Sequence, residues 1–71
     1  MVEARILFGK RVKELRRMKR LTQAQLAEIT DLSVNYISQI ETGEASPSFE
    51  TMVRLAESLE IEMKELFIFS E

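Results

Sequence analysis

Apolar positions recur along this chain at intervals of three and four, the spacing of one face of an α-helix. Phe8, Val12 and Leu15 set the pattern and predict a first helix from about Glu3 to Lys19. Leu26, Ala27 and Ile29 supply the apolar side of a second, roughly Gln23 to Thr30. Val34, Ile37 and Ile40 mark a third, about Val34 to Thr42. Phe49, Met52, Leu55, Ala56 and Leu59 repeat at the same spacing and predict a fourth, Phe49 to about Leu59. A short fifth runs from Glu62 to about Phe67. No β-branched stretch alternates strictly, so no strand is predicted. The expectation is an all-α fold, a compact five-helix domain covering residues 1–71.

The polar residues between these stretches punctuate them. Thr22, Ser33 and Ser48 each stand where an N-cap is needed. Gln25 follows Thr22 at the third helical position, so Thr-x-x-Gln fits a capping box. Gly43 ends the third helix, as a left-handed residue after a helix should. Gly9 sits inside the first helix at a cost of roughly 1 kcal/mol relative to Ala and allows another helix to approach closely. Asp31-Leu32 is a short turn, so residues 22–42 read as a helix-turn-helix.

A helical wheel divides the third helix sharply. With Ile37 at zero, Val34, Ile40 and Glu41 fall within about 60° of it, on the inner side. Asn35, Gln39 and Thr42 fall within about 40° of the opposite direction, and Ser38 and Tyr36 flank them. The inner carboxylate of Glu41 needs a partner, because a buried charge without one is costly. Arg16 lies about 80° from Phe8 on the first helix, at the edge of its apolar stripe, and is the candidate; two independent surface charges are the plain alternative. The outer face carries amides and hydroxyls with no Lys or Arg. Asn and Gln can contact adenine bidentately in the major groove, and Ser and Thr can contact several bases. A solvated polar face with no partner is again the plain alternative, but it leaves the neighbouring turn and helix unexplained. The free N–H groups at the start of the second helix form a natural phosphate seat, and Thr22 and Gln23 stand there.

Charge sharpens this picture. The net charge is −2, which alone argues against a polyanionic partner. Residues 1–20, however, hold eight basic groups against two acidic ones, a local +6. Residues 21–47 carry −4 and residues 48–71 another −4. A basic end on an acidic domain steers it toward a polyanion, although a solvated basic face looks the same on charge alone. With no Cys and no His, disulfides, thiolate metal sites and the commonest general base are excluded. Glu57, Glu60, Glu62 and Glu65 read as a solvated face with no metal. No catalytic residue, cofactor or metal is expected. No apolar run approaches membrane-spanning length and no signal peptide is apparent, so a cytoplasmic protein with no membrane partner is the expectation.

The stretch LTQAQLAEITDLSVNYISQIETGEASPSFETMVRLAESLEI resembles the Cro/repressor-like, or XRE, helix-turn-helix transcription regulators. LTQAQLA is similar to the family's second helix, YISQIETG to its third and PSFETMVRLAESL to its fourth. The resemblance spans about residues 8–67. It implies a lambda-repressor-like fold and a homodimer on a two-fold double-stranded DNA operator, with RNA polymerase as a further partner. Small members of this kind include phage Cro proteins and restriction-modification controllers. By position, the resemblance makes Gln23 a phosphate contact, with Arg17 and Thr22 beside it. It makes Ser33, Val34, Asn35, Tyr36, Ser38 and Gln39 the base-reading set. Thr42, Ser46 and Ser48 match a second backbone-contacting region, and Arg16 with Glu41 match a structural ion pair. Three departures stand out. Asp31 occupies a turn position that is often Gly, Val34 replaces a usually polar reader, and Glu44 and Ala45 lie in a loop that is often basic. Asp tolerates left-handed geometry. Val34 either packs on a thymine methyl or packs against the second helix.

A protein-interaction role is the rival reading, as an antitoxin or an adaptor with weak DNA binding. The end of the chain, ELFIFSE, bears on it. Leu66 and Phe67 close the core in this reading, which leaves Ile68 and Phe69, with Val53, as a homodimer surface. A tail folded back on its own core is the alternative.

Overall fold

The computed structural model describes residues 3–69. Four α-helices follow in order: α1 (Ala4–Met18), α2 (Gln23–Thr30), α3 (Val34–Thr42) and α4 (Phe49–Leu59). A 3₁₀ helix, Met63–Phe67, comes last. There is no strand among the described residues.

The predicted fifth α-helix is therefore corrected to a 3₁₀ turn. The segment is five residues long, its N-cap Glu62 makes no side-chain cap bond, and Glu65 N–H donates to the Glu62 carbonyl at 2.9 Å. So short a piece closes i→i+3 bonds more readily than it pays for a full α-turn nucleus. Arg11 also intervenes, donating from Nε to the Glu65 carbonyl at 2.8 Å and from Nη2 to the Glu65 carboxylate at 3.3 Å. This clamp ties the last segment to α1.

The helices end and begin where the polar residues dictate. Thr22 Oγ1 accepts from Gln25 N–H at 3.0 Å and Gln25 Oε1 accepts from Thr22 N–H at 2.8 Å, a complete capping box. Ser33 and Ser48 cap α3 and α4 through Tyr36 N–H and Thr51 N–H. Gly43 closes α3 at φ 85°, and Asp31 closes α2 at φ 61°. Arg20 (φ 60°) and Glu60 (φ 59°) also take left-handed backbone without being glycine.

Phe8, Val12, Leu15, Leu26, Ile37, Ile40, Leu55, Leu59 and Leu66 form one buried cluster contributed by every helix. Four apolar assignments are corrected. Val34, placed on the inner side of α3 by the wheel, is 45% exposed because it stands in the first turn, before the helix reaches the core. Phe67, expected to close the core with Leu66, is 46% exposed and touches it through Phe8, with ring centroids 5.4 Å apart. Ile29 is 53% exposed and Phe49 is 68% exposed, so neither belongs to the core. On α2 the inward place is taken by Thr30, whose hydroxyl donates back to the Leu26 carbonyl at 2.7 Å. Phe49 is the first residue of α4 and extends the apolar stripe beyond the end of the core. Gly9 is buried where α1 crosses α3; a Cβ there would collide with the Ile40 and Glu41 carbonyls. The crossing therefore depends on a residue with no side chain, and it fixes the C-terminal half of α3 against α1.

Candidate nucleic-acid interface

The inner side of α3 is locked by a polar network. Arg16 Nε donates to Glu41 Oε2 at 2.7 Å and Arg16 Nη2 donates to Glu41 Oε1 at 3.1 Å. Its remaining nitrogen, Nη1, donates to the Leu21 carbonyl at 2.7 Å. Both side chains are buried, so the bidentate geometry does what burial requires and leaves no charge uncompensated. The network joins α1, the entrance to α2 and the end of α3. Gln23 completes it, with Nε2 donating to Glu41 Oε1 at 3.0 Å. An amide nitrogen carries two N–H groups, so one remains for an anion at the start of α2.

That start is suited to a phosphate. Thr22 caps and Gln23 opens a helix whose first N–H groups have no partner within it, and the capping box engages only two of the donors there. Arg17 is exposed on α1, grouped with Lys10 and Lys13 around a shallow surface depression. The second set of backbone-contacting candidates is less free. Thr42 Oγ1 donates to the Gln39 carbonyl at 3.2 Å, which spends its proton inside α3. Ser48 Oγ accepts from Thr51 N–H and donates to Thr51 Oγ1 at 3.1 Å, so its side chain is committed to α4. Ser46 is exposed beside Pro47 in the loop between α3 and α4.

On the outer side of α3 the base-reading candidates separate into two groups. Val34 and Asn35 are exposed in the first turn, and Ser38 and Gln39 are half-buried one turn further on. No side-chain hydrogen bond within the protein engages Asn35 or Gln39 among the described residues, so both amides keep their donors and acceptors. Ser33 Oγ accepts from Tyr36 N–H at 3.0 Å and retains its own proton. Tyr36 packs against the core and does not stand free on this face. Asn35 and Gln39 are four residues apart, so they lie one above the other along the helix, about 6 Å apart. That is the span of about two base pairs at 3.4 Å each.

Several working residues escaped sequence reasoning. Leu21 acts through a carbonyl that no side-chain pattern reveals. Arg11 and Glu65 meet across 54 positions of sequence, with no local periodicity to link them. The exposure of Phe49 had one cue, its place at the first helical position after the Ser48 cap.

A helix-turn-helix family model matches residues 12–66. The chain belongs to the helix-turn-helix family of transcription regulators. The control protein C.BamHI of Bacillus amyloliquefaciens is 34% identical over 67 residues, which cover 93% of this chain and 83% of that protein. The immunity repressor protein of Bacillus phage phi105 is 40% identical over 55 residues, covering 78% of this chain but only 38% of the repressor. In three dimensions this helix-turn-helix chain superposes on the restriction-modification controller protein C.AhdI from Aeromonas hydrophila with a TM-score of 0.86 and 39% identity. That match covers 87% of this chain and 94% of the controller.

Proposed function

We propose that this chain is a sequence-specific DNA-binding regulator of transcription, one domain acting as a homodimer on a two-fold operator with α3 in the major groove. The observation that carries the reading is the division of α3. Its inner side is fixed by the Arg16–Glu41 pair, and its outer side presents two uncommitted amides beside an open phosphate seat. A helix that must read bases needs this rigidity, because a contact misplaced by an ångström loses its bidentate geometry. Gln23 and Arg17 hold phosphates in this reading, and Ser33, Val34, Asn35, Ser38 and Gln39 face the bases. The resemblance to a controller protein over nearly its whole length supports the same role.

Dimerisation uses α4 and the tail. Ile68 is 52% exposed, and Phe49 and Val53 lie one turn apart on α4, the former exposed and the latter half-exposed. Met52, the residue before Val53, shares an apolar trough with Phe67 and Phe69. Phe69 contributes mostly from within its own protomer. It packs against the core and stands edge-on to Phe67, with ring centroids 6.4 Å apart. Among the described residues no helix is long and apolar enough to cross a membrane, and we place the protein in the cytoplasm with the DNA it reads. Regulation follows from occupying a promoter or from contact with RNA polymerase, which in-vitro transcription with and without the operator separates.

In-vitro selection of bound DNA from a random pool tests the proposal. The expected product is a palindrome with half-sites about one helical turn apart. A pool with no enriched sequence would defeat it and favour a protein-interaction adaptor.

A further inference from the structure

Val34 is the one apolar group exposed in the first turn of α3. It is 45% exposed, and it belongs neither to the buried cluster nor to the half-buried residues packed on that cluster. Packing on the core therefore does not account for its exposed half. Helix stability does not either, since a β-branched residue costs χ1 freedom in a helix and Ala would serve better. Ser33 and Thr42, the hydroxyls nearest the two ends of α3, are engaged with its backbone. Besides the proton that Ser33 retains, the groups left free at the N-terminal end are thus an isopropyl and, next to it, the carboxamide of Asn35.

An isopropyl group can neither donate nor accept a hydrogen bond. Of the base edges in the major groove, thymine alone offers an apolar group, its C5 methyl. Against cytosine the same isopropyl would cover the N4 donor and leave it without a partner, which is a penalty as well as a lost contact. Adjacent residues on a helix are displaced by about 1.5 Å along its axis, less than the rise of about 3.4 Å between base pairs. Val34 and Asn35 therefore reach the same or neighbouring base pairs.

We propose that Val34 is a specificity-determining residue that selects, through the C5 methyl, a thymine within one base pair of the base contacted by Asn35 in each half-site. This rests on the proposed base-reading role of α3. It also makes the recognition face one that discriminates A·T pairs at its N-terminal end, with no Arg or Lys there to favour guanine.

The test replaces thymines of the selected operator with deoxyuridine, which removes the methyl and nothing else. Each position is changed in both half-sites together, and Kd is measured by fluorescence anisotropy for the wild type, Val34→Ala and Asn35→Ala. At one thymine the wild type should lose about four-fold per half-site, the worth of one buried methyl group. Val34→Ala should bind the unmodified operator as weakly and be indifferent to deoxyuridine there. Val34→Thr, which keeps the branch and one methyl, should fall between them. If the wild type tolerates deoxyuridine everywhere, or Val34→Ala remains as sensitive as the wild type, the inference is overturned. Loss of operator binding in Asn35→Ala under those same results would leave base reading by α3 standing and isolate the failure to Val34. Under those same results, operator binding unchanged in Asn35→Ala and in Gln39→Ala, measured beside it, would overturn both.

Discussion

At the residue scale the molecule turns on Arg16. All three of its guanidinium nitrogens are used, two on Glu41 and one on the Leu21 carbonyl, and Gln23 is held by the same carboxylate. Arg16→Ala strands a buried carboxylate and should cost about 3–5 kcal/mol, a large share of the stability of so small a domain. Urea denaturation checks this; a midpoint equal to the wild type would show that the pair is dispensable. The double change Arg16→Met with Glu41→Leu should recover part of the loss, because an apolar pair of similar volume leaves no buried charge, although the Leu21 carbonyl and Gln23 each lose a partner. The need for a partner was legible in the sequence, since a wheel placed a carboxylate on the apolar side of α3. The identity of the third acceptor was not, because backbone carbonyls leave no mark in a residue pattern.

At the scale of elements, caps and crossings decide the architecture. Helix boundaries followed from Thr22, Ser33, Ser48 and Gly43, whose side chains or lack of them suit helix ends. The inside and outside of each helix followed less well at its ends. Ile29 and Phe49 match the helical period yet lie exposed, because periodicity names a face and not how far the neighbouring element reaches along it. The last segment has the composition of a helix but is shorter than a stable α-turn run and is held by Arg11 from outside. Gly9 and Glu60 supply two predictions. Gly9→Ala gains helix propensity but forces a methyl into the Ile40 and Glu41 carbonyls. The clash should outweigh the gain and lower stability by about 1–3 kcal/mol, and should weaken DNA binding through displacement of α3. A thermal melt that rises on this change would contradict the close crossing. Glu60→Gly should do the opposite. It relieves a left-handed residue at the end of α4 and gives up only an exposed contact to Lys19, raising stability by about 1 kcal/mol in the same assay.

For the whole molecule, the basic groups proposed to meet DNA and the apolar residues proposed to form the dimer belong to different elements. Arg17, Lys10 and Lys13 lie on α1, while Phe49, Val53 and Ile68 belong to α4 and the tail. The basic bias of the first twenty residues was visible in the sequence despite a net charge of −2, and part of it turns out to be internal, since Arg11 and Arg16 are paired with acids. An isologous dimer joined at α4 and the tail would present two copies of α3. Ile68→Asp combined with Phe49→Ser should therefore shift sedimentation at tens of micromolar from dimer to monomer and leave the circular dichroism of the helices intact. A double variant that still sediments with the wild type would remove this surface from the interface.

The central claim, that α3 reads base sequence through its amides, is tested most directly by comparing two affinities at one salt concentration. Kd is measured for the selected operator and for a scrambled duplex, with wild type, Asn35→Ala and Gln39→Ala. Each change should cost about 1–3 kcal/mol on the operator and leave binding to the scrambled duplex and the melting temperature nearly unchanged. Operator affinities equal to the wild type in both variants would contradict the account.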